Sequence, residues 1–222
     1  LAAGADPCAQ LTNGFRPIHM AKSVDIVDRL IAAGADLHAV ARDGTTSLHR
    51  FASWGDAPLV RHVLALGFEP DVRDERGLAP MHDALDAEIV AALVDHGAHI
   101  EARDHRGRTP LMTVSRPDVV RALLARGARI DAVDDRGRTV LHHPRAAPEV
   151  ARLMVAAGAR LDVRDGHGRT PFEHARQARV RTKAEEERTR DLDDQNESDY
   201  AWIPTLEQDD SYCKQAWVDA LE

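Results

Sequence analysis

Histidine is the residue type with which this chain could most readily bind a metal ion, and twelve histidines occur among its 222 residues. Four of them, His19, His49, His82 and His142, recur at multiples of about 30 residues. Side chains that recur once per repeat lie in successive repeats and do not converge on one ion. The sequence also has no H-E-x-x-H or C-x-x-C motif. We therefore predict neither a metal site nor a cofactor.

Aspartate could supply general acid–base chemistry, but its recurrent positions are typical of turns. Asp74, Asp104, Asp134 and Asp165 each stand three residues before a glycine. Asp and Gly at this spacing stabilise tight turns through side-chain hydrogen bonds and a left-handed backbone. No G-x-S-x-G motif or phosphate-binding loop accompanies them. We therefore predict that the protein is not an enzyme.

Arginine outnumbers lysine by 26 to 3, and many arginines flank these turns. A guanidinium presents a planar fork of donors that suits carboxylates and phosphates. Two interpretations are open: the arginines pair with the turn aspartates and with solvent, or they line an anion-attracting groove for a protein partner. The candidates for partner binding are Arg73, Arg76, Arg103, Arg106, Arg108, Arg136, Arg138, Arg164 and Arg169.

The net charge of −8 is unevenly distributed along the chain. Residues 191–222 hold ten acidic side chains and one basic one, a net charge of −9, so residues 1–190 carry +1. Strong phosphate binding needs a clear basic excess, and aromatic residues hardly interleave with the arginines, so nucleic acid is not favoured as a partner. No stretch approaches the roughly 18 apolar residues that a membrane span needs.

Two glycine series run in constant phase through about the first 170 residues. The first is Gly14, Gly44, Gly77, Gly107, Gly137 and Gly168, and the second is Gly4, Gly34, Gly67, Gly97, Gly127 and Gly158. Both have steps of 30, 33, 30, 30 and 31 residues. A fixed period of this length indicates a repeat protein.

Each repeat is predicted to contain two helices and a protruding turn. A motif such as Thr109-Pro110 begins the first helix, because proline suits the first helical turn. The second helix carries apolar pairs four residues apart, which form one buried stripe. These pairs are Ile26-Val27 with Leu30-Ile31, Leu59-Val60 with Val63-Leu64, Ile89-Val90 with Leu93-Val94, and Val119-Val120 with Leu123-Leu124. A glycine ends this helix, and an extended stretch then leads to the Asp-x-x-Gly turn.

The T-P-L-H-like helix starts, the I-V-x-x-L-L-x-x-G-A helix and the D-x-x-G-x-T-P turn resemble the ankyrin repeat family over about residues 1–185. The resemblance implies an all-α solenoid of helix-turn-helix repeats with short β-turn fingers, in which the recurrent histidine links turn and helix. The family's unit has 33 residues, and only the unit starting at Ala41 keeps that length. From Leu48 to Leu59 there are 11 residues, but only 8 from Met81 to Ile89. We therefore expect that the missing residues lie between the two helices and that the first, inner helix or its connection is shorter by nearly a turn.

The repeat pattern divides the chain into four regions. Residues 1–10 are the end of a truncated repeat, which implies that native sequence precedes them. Five repeats, numbered 1 to 5 here, follow at 11–40, 41–73, 74–103, 104–133 and 134–164. Residues 165–190 are expected to form a C-terminal cap, because they lack the apolar stripe and carry charges all round. Residues 191–222 are the acidic tail.

The acidic tail holds four of the nine aromatic residues, more than a disordered acidic segment usually has. Cys213, Trp217 and Leu221 are spaced for one face of a helix. We therefore expect the tail to dock through Trp202, Tyr212 and Trp217. It would dock on its own chain, along the arginines or on the last repeat, or it would recognise a partner.

The resemblance implies a non-catalytic module that binds a protein partner through its turn fingers and concave face. One alternative is a bacterial immunity or inhibitor-type protein that neutralises a cognate toxin, and another is the interaction domain of a larger enzyme or effector. No secretion signal is visible, and the two cysteines stand at opposite ends of the chain. We therefore expect a reducing, cytoplasmic location, with a secreted effector as the alternative. We also expect a monomer.

Overall fold

The computed structural model describes residues 6–143 and 148–176, and five successive pairs of helices lie within them. Each predicted repeat contains one pair. The first helices are Pro17–Met20, Ser47–Trp54, Pro80–Asp83, Pro110–Thr113 and Val140–His142. The second helices are Val24–Ala32, Ala57–Ala65, Ala87–Asp95, Pro117–Ala125 and Pro148–Ala156. The described residues contain no β-strand, so the prediction of an all-α fold is confirmed.

Repeat 2 has a longer first helix than its neighbours. Ser47–Trp54 is an eight-residue α-helix, whereas Pro17–Met20, Pro80–Asp83 and Val140–His142 are single 3₁₀ turns and Pro110–Thr113 has four residues. The shorter units were predicted to have a shorter first helix or a shorter connection to the second helix, and the structure shows that the first helix is shorter while the connection is not. As a consequence, Ser47–Trp54 has about one extra turn, which ends at Gly55 with a φ of 77°.

The second helices pack in a row and bury the predicted apolar stripe. Leu59, Ile89 and Val119 occupy equivalent positions in repeats 2 to 4 and are at most 1% exposed. In repeat 1 the prediction was wrong for the equivalent residue, because the Ile26 side chain is 42% exposed. No complete repeat precedes Ile26 within the described residues, so the neighbour that covers the later positions is missing there. The core is thus built between adjacent repeats, as expected for a solenoid.

Backbone hydrogen bonds join the turn fingers, which are the Asp-x-x-Gly turns at 74–77, 104–107, 134–137 and 165–168. The N–H group of His105 donates to the carbonyl oxygen of Arg76 at 2.9 Å. The same bond recurs from Asp135 to Arg106 and from Gly166 to Arg136. These main-chain contacts hold the fingers in a continuous row along one edge of the helix stack.

The predicted cap is described only at its beginning. Helical backbone resumes at residues 171–176. Residues 177–190 and the whole acidic tail lie outside the described residues, and so do the predicted anchors Trp202, Tyr212 and Trp217. None of the described helices is both long and apolar enough to cross a bilayer.

Candidate protein-interaction surface

Each turn finger is built around the carboxylate of its aspartate. Asp134 Oδ1 accepts the N–H groups of Arg136 and Arg138, both at 2.9 Å, and Oδ2 lies 2.7 Å from Arg138 Nη2. The Asp134 side chain is 0% exposed. Burial would raise the pKa of Asp134, but the hydrogen bonds from the two arginines outweigh burial and hold it below its ordinary value. Equivalent turn hydrogen bonds are made by Asp74, Asp104 and Asp165.

Three of the four recurrent histidines, His49, His82 and His142, each connect their repeat to the next, whereas Nε2 of His19 has no hydrogen-bond partner within the described residues. His82 Nδ1 accepts the N–H group of Ala79 at 3.1 Å, so Nε2 carries the proton and donates to the carbonyl oxygen of Arg108 at 3.1 Å. Equivalent bonds run from His49 to Leu78 and from His142 to Arg169. Burial lowers the pKa of all three histidines and outweighs these hydrogen bonds, which raise it. They therefore act as neutral links between repeats at neutral pH.

His143 lies largely buried beside a finger aspartate, with its side chain 10% exposed. Its Nε2 lies 3.6 Å from Asp134 Oδ2. Burial and the charge of Arg138 lower the pKa of His143 to about 4, although the charge of Asp134 raises it. Within the described ranges, no group of three or more His, Cys, Asp and Glu side chains is placed to hold a metal ion.

Seven of the nine predicted arginines make side-chain contacts within the repeats. Arg76, Arg108, Arg138 and Arg169 form ion pairs with the aspartate of their own finger at 2.6–3.0 Å. Arg73, Arg103 and Arg164 donate to backbone carbonyl oxygens. Arg103, for example, donates from Nη1 to Gly107 at 3.0 Å and to Val133 at 2.9 Å. These arginines hold the fingers to the stack.

Arg106 and Arg136 differ from the other seven. Within the described residues their guanidinium groups make no hydrogen bond or ion pair, and both residues are exposed. Their backbone is fixed, because their N–H groups donate to Asp104 and Asp134 at 2.8 and 2.9 Å. Each of their carbonyl oxygens also accepts a bond from the next finger. Neighbouring fingers thus present two unpaired cationic side chains on a rigid backbone.

Sequence reasoning also missed Arg50, an arginine without a carboxylate partner on the first helix of repeat 2. The Arg50 guanidinium lies 5.1 Å from the centroid of the Phe15 ring and 4.6 Å from that of Trp54, both within range of a cation–π contact. No carboxylate of the described residues lies within ion-pair distance of Arg50, whose Nη2 meets Met20 Sδ at 4.0 Å. Arg50, Phe15 and Trp54 are called the Arg50 clamp. A signal in the sequence was Trp54, a large aromatic in the extra turn of the 33-residue unit.

An open groove of about 900 Å³ lies beside the Arg50 clamp. Trp54 and Met20 line it, with 36% and 44% of their surface exposed. Lys22 and Asp56 add charges of opposite sign to the lining. The groove therefore combines apolar surface with the cationic groups of Arg50 and Lys22.

Comparisons with known proteins agree with this geometry. The profile of the family described as ankyrin repeats (three copies) matches residues 18–104 and 86–165. The solved ankyrin repeat domain of Bcl-3, a unique member of the IkappaB protein family, is 27% identical, with a TM-score of 0.62. That match covers 82% of this chain and 87% of the solved chain.

A match to a human protein is more local. SH3 and multiple ankyrin repeat domains protein 2 of Homo sapiens is 37% identical over 60 residues, which are 27% of this chain. The matched part is 3% of the human protein, so this chain corresponds to a small part of its length. The profile match covers most of the chain and coincides with the five helix pairs and their turn fingers. The chain belongs to the ankyrin repeat family.

Proposed function

We propose that this protein is a non-catalytic module that binds a protein partner through its turn fingers and the concave face beside them. Ankyrin repeats are a general protein–protein interaction module, and this supplies the class of function. The surface used and the chemistry of the partner are inferred from this chain's own residues. The chain need not perform chemistry for this role, since it needs only a rigid surface with unpaired groups.

The observation that carries the proposal is the pair Arg106 and Arg136. Seven arginines of the row already make contacts within the repeats, whereas these two are exposed and unpaired within the described residues. A guanidinium can bind a carboxylate with two parallel hydrogen bonds. We therefore expect the partner to present carboxylates opposite the fingers at 104–107 and 134–137.

The rigidity of the fingers favours this use. The Asp104 and Asp134 side chains are 1% and 0% exposed and fix the backbone of each turn. The finger-to-finger hydrogen bond from Asp135 to Arg106, 3.1 Å long, fixes the spacing between them. A surface that is ordered before binding loses less conformational entropy in the complex, so more of the interaction energy appears as affinity.

Affinity capture with the full chain tests the proposal, using an extract of the organism that makes the protein. The finger variant is Arg106→Glu/Arg136→Glu. The matched control, Arg121→Glu/Arg152→Glu, makes the same charge change at exposed positions of two second helices. We expect one protein to be captured by the unchanged chain and by the control but not by the finger variant.

Measurements with that purified protein make the test quantitative. The Kd of this partner for the finger variant should be about tenfold higher or more than for the unchanged chain. The variant loses two cationic contacts at the interface and places anionic groups there instead. Binding to the unchanged chain should also weaken with salt, which screens exposed charges. Equal affinity of the finger variant and the unchanged chain for the partner would overturn the assignment of the surface.

A further inference from the structure

The Arg50 clamp is a cationic site that the proposed function does not use. We propose that it binds a carboxylate of this chain's own acidic tail, from residues 197–203, and that the groove beside it accepts the side chain of Trp202. This inference does not rest on the turn fingers or on the identity of a partner. Residues 197–203 lie outside the described residues, whereas the clamp and the groove lie within them.

The Arg50 guanidinium is oriented, and it forms no ion pair within the described residues. Phe15 and Trp54 contact it by cation–π geometry, which restricts its position. Its Nε is buried without a hydrogen-bond partner in the described part of the chain. A partly desolvated charge with no partner is costly, and a carboxylate supplied by another segment would remove that cost through charge-assisted hydrogen bonds.

The charges around Arg50 favour approach from the side of the groove. On the finger side lie Asp43 and Asp74, and these carboxylates are already engaged. Asp74 is bonded to Arg76, and Asp43 accepts the N–H group of Thr45 at 3.0 Å. Asp83 also lies on that side, so a further anion there would meet repulsion.

On the groove side, cationic side chains outnumber carboxylates. Lys22 and Arg50 are its cations, against the single carboxylate of Asp56. Asp56 is also bonded, because it accepts the N–H group of Leu59 at 3.0 Å and so caps the second helix of repeat 2. An incoming carboxylate is therefore attracted from this side.

The acidic tail offers the complementary chemistry in one short segment. Residues 197–203 read Glu-Ser-Asp-Tyr-Ala-Trp-Ile, so two carboxylates come just before a run that contains two aromatic side chains. A carboxylate of Asp199 can pair with Arg50 while Trp202 covers the exposed surfaces of Met20 and Trp54. The tail as a whole carries −9 and the rest of the chain only +1, so its attraction depends on the local cations Arg50 and Lys22.

The connection to the tail is long enough. From the described end at residue 176 to repeat 2 there are about four repeat steps, and helices pack about 8–10 Å apart, so the span is about 40 Å. Residues 177–196 are twenty residues, which can extend to about 65–70 Å. The segment can therefore reach the clamp without displacing any of repeats 1 to 5, and the proposal takes residues 177–190 as extended chain in place of the cap that the sequence predicts there.

The test starts from the full chain with a protease site inserted between Arg190 and Asp191. Cleavage after folding leaves a repeat body that folded as part of the whole protein, and circular dichroism checks that it remains folded. Trp54 is then the single tryptophan of the body, so its indole N–H group gives one NMR signal. A synthetic peptide of residues 191–222 is titrated into the ¹⁵N-labelled body.

We expect the Trp54 signal to shift and saturate as the peptide binds. Arg50→Gln should raise the Kd of the peptide about tenfold, because one charge-assisted contact is lost. Arg50→Lys should raise it less, because lysine keeps the charge but not the planar fork. The control Arg152→Gln should leave the Kd unchanged.

Matched changes in the peptide test which segment binds. Asp199→Asn/Trp202→Ala should weaken binding, whereas Asp210→Asn/Trp217→Ala removes one charge and one indole elsewhere in the tail and should not. The proposal is overturned if the wild-type body does not bind the peptide or if Arg50→Gln leaves the Kd unchanged. Loss of binding only in Arg106→Glu/Arg136→Glu would place the tail on the turn fingers and would overturn it as well.

Discussion

The Nε2 atom of His49 lies 3.0 Å from the carbonyl oxygen of Leu78, and this bond joins the first helix of repeat 2 to the turn of repeat 3. The other ring nitrogen, Nδ1, accepts the N–H group of Thr46 at 3.3 Å. Both bonds can form together only when the imidazole is neutral, with its proton on Nε2. The stacking of repeats is therefore linked to pH through a group that recurs along the array.

Mild acid should destabilise the protein. Burial lowers the pKa of His49, His82 and His142 below the ordinary value of 6.5, and that of His143 to about 4. Below pH 6.5 the unfolded chain therefore binds more protons than the folded chain. The contribution of these neutral histidines to the free energy of unfolding is complete above that pH. As pH falls, the free energy of unfolding decreases by up to about 1.4 kcal/mol per histidine per pH unit. We expect the urea midpoint to fall between about pH 7.5 and about pH 5.

The finger carboxylates of Asp104 and Asp134 lose their protons at lower pH than the histidines and do not obscure this effect. The pKa values of Asp104 and Asp134 lie below 3.8, because hydrogen bonds from arginine outweigh their burial. Their stabilisation is lost only as pH falls below about 3.9, the unfolded value. His82→Gln should make the decline between about pH 7.5 and about pH 5 less steep. A urea midpoint that stays constant over that range would contradict the role given to the histidines.

Asp134→Ala should destabilise the protein by about 3 kcal/mol, because it leaves the Arg138 guanidinium and two backbone N–H groups without their acceptor. The control is Asp131→Ala, which removes a side chain that is 60% exposed and paired with Arg129 at 3.6 Å. The control should change the free energy of unfolding by less than about 0.5 kcal/mol. Urea denaturation of both variants measures the difference, and equal effects would show that the finger carboxylate is not structural.

The two glycine series should respond differently to alanine. Gly44 and Gly67 both have positive φ values, 79° and 88°, so alanine should cost about 1–2 kcal/mol at either position. A Cβ atom at Gly44 would also lie 2.7 Å from the backbone nitrogen of Glu75 in the next finger, whereas nothing lies within 4 Å at Gly67. Gly44→Ala should therefore lower the melting temperature more than Gly67→Ala, and the reverse order would contradict the packing of the turns.

Leu123→Ala should cost about 2–5 kcal/mol, because the side chain is fully buried between second helices. Ile26→Ala is the matched control on the equivalent helix of repeat 1, where 42% of the residue is exposed, and it should cost clearly less. The free energy of unfolding from urea titration distinguishes them. Similar losses would mean that repeat 1 is covered as completely as the later repeats.

The fold could be predicted because its information is local and repeated. The histidine position and both glycine series recur every 30 to 33 residues, so their period is visible without any long-range contact. The exposure of Ile26 could not be predicted in this way, because burial of that position depends on the neighbouring repeat and not on the helix's own pattern.

The candidate site was less predictable. Arg106 and Arg108 stand two residues apart, yet Arg108 pairs with Asp104 at 2.6 Å while the Arg106 guanidinium is unpaired within the described residues. Residue type cannot distinguish them, because the direction of each side chain depends on the turn. The Arg50 clamp was missed because Phe15 and Arg50 are 35 residues apart and meet only through stacking.

Site-specific photo-cross-linking tests most directly whether the turn fingers contact a protein partner. A photoreactive amino acid replaces His105, an exposed residue of the finger at 104–107, in one full-length variant and Arg152, on a second helix, in another. Both are irradiated with the partner obtained by affinity capture. We expect a cross-linked product from position 105 and none from position 152. A product from position 152 alone would contradict this placement and would put the partner on the opposite, helical face.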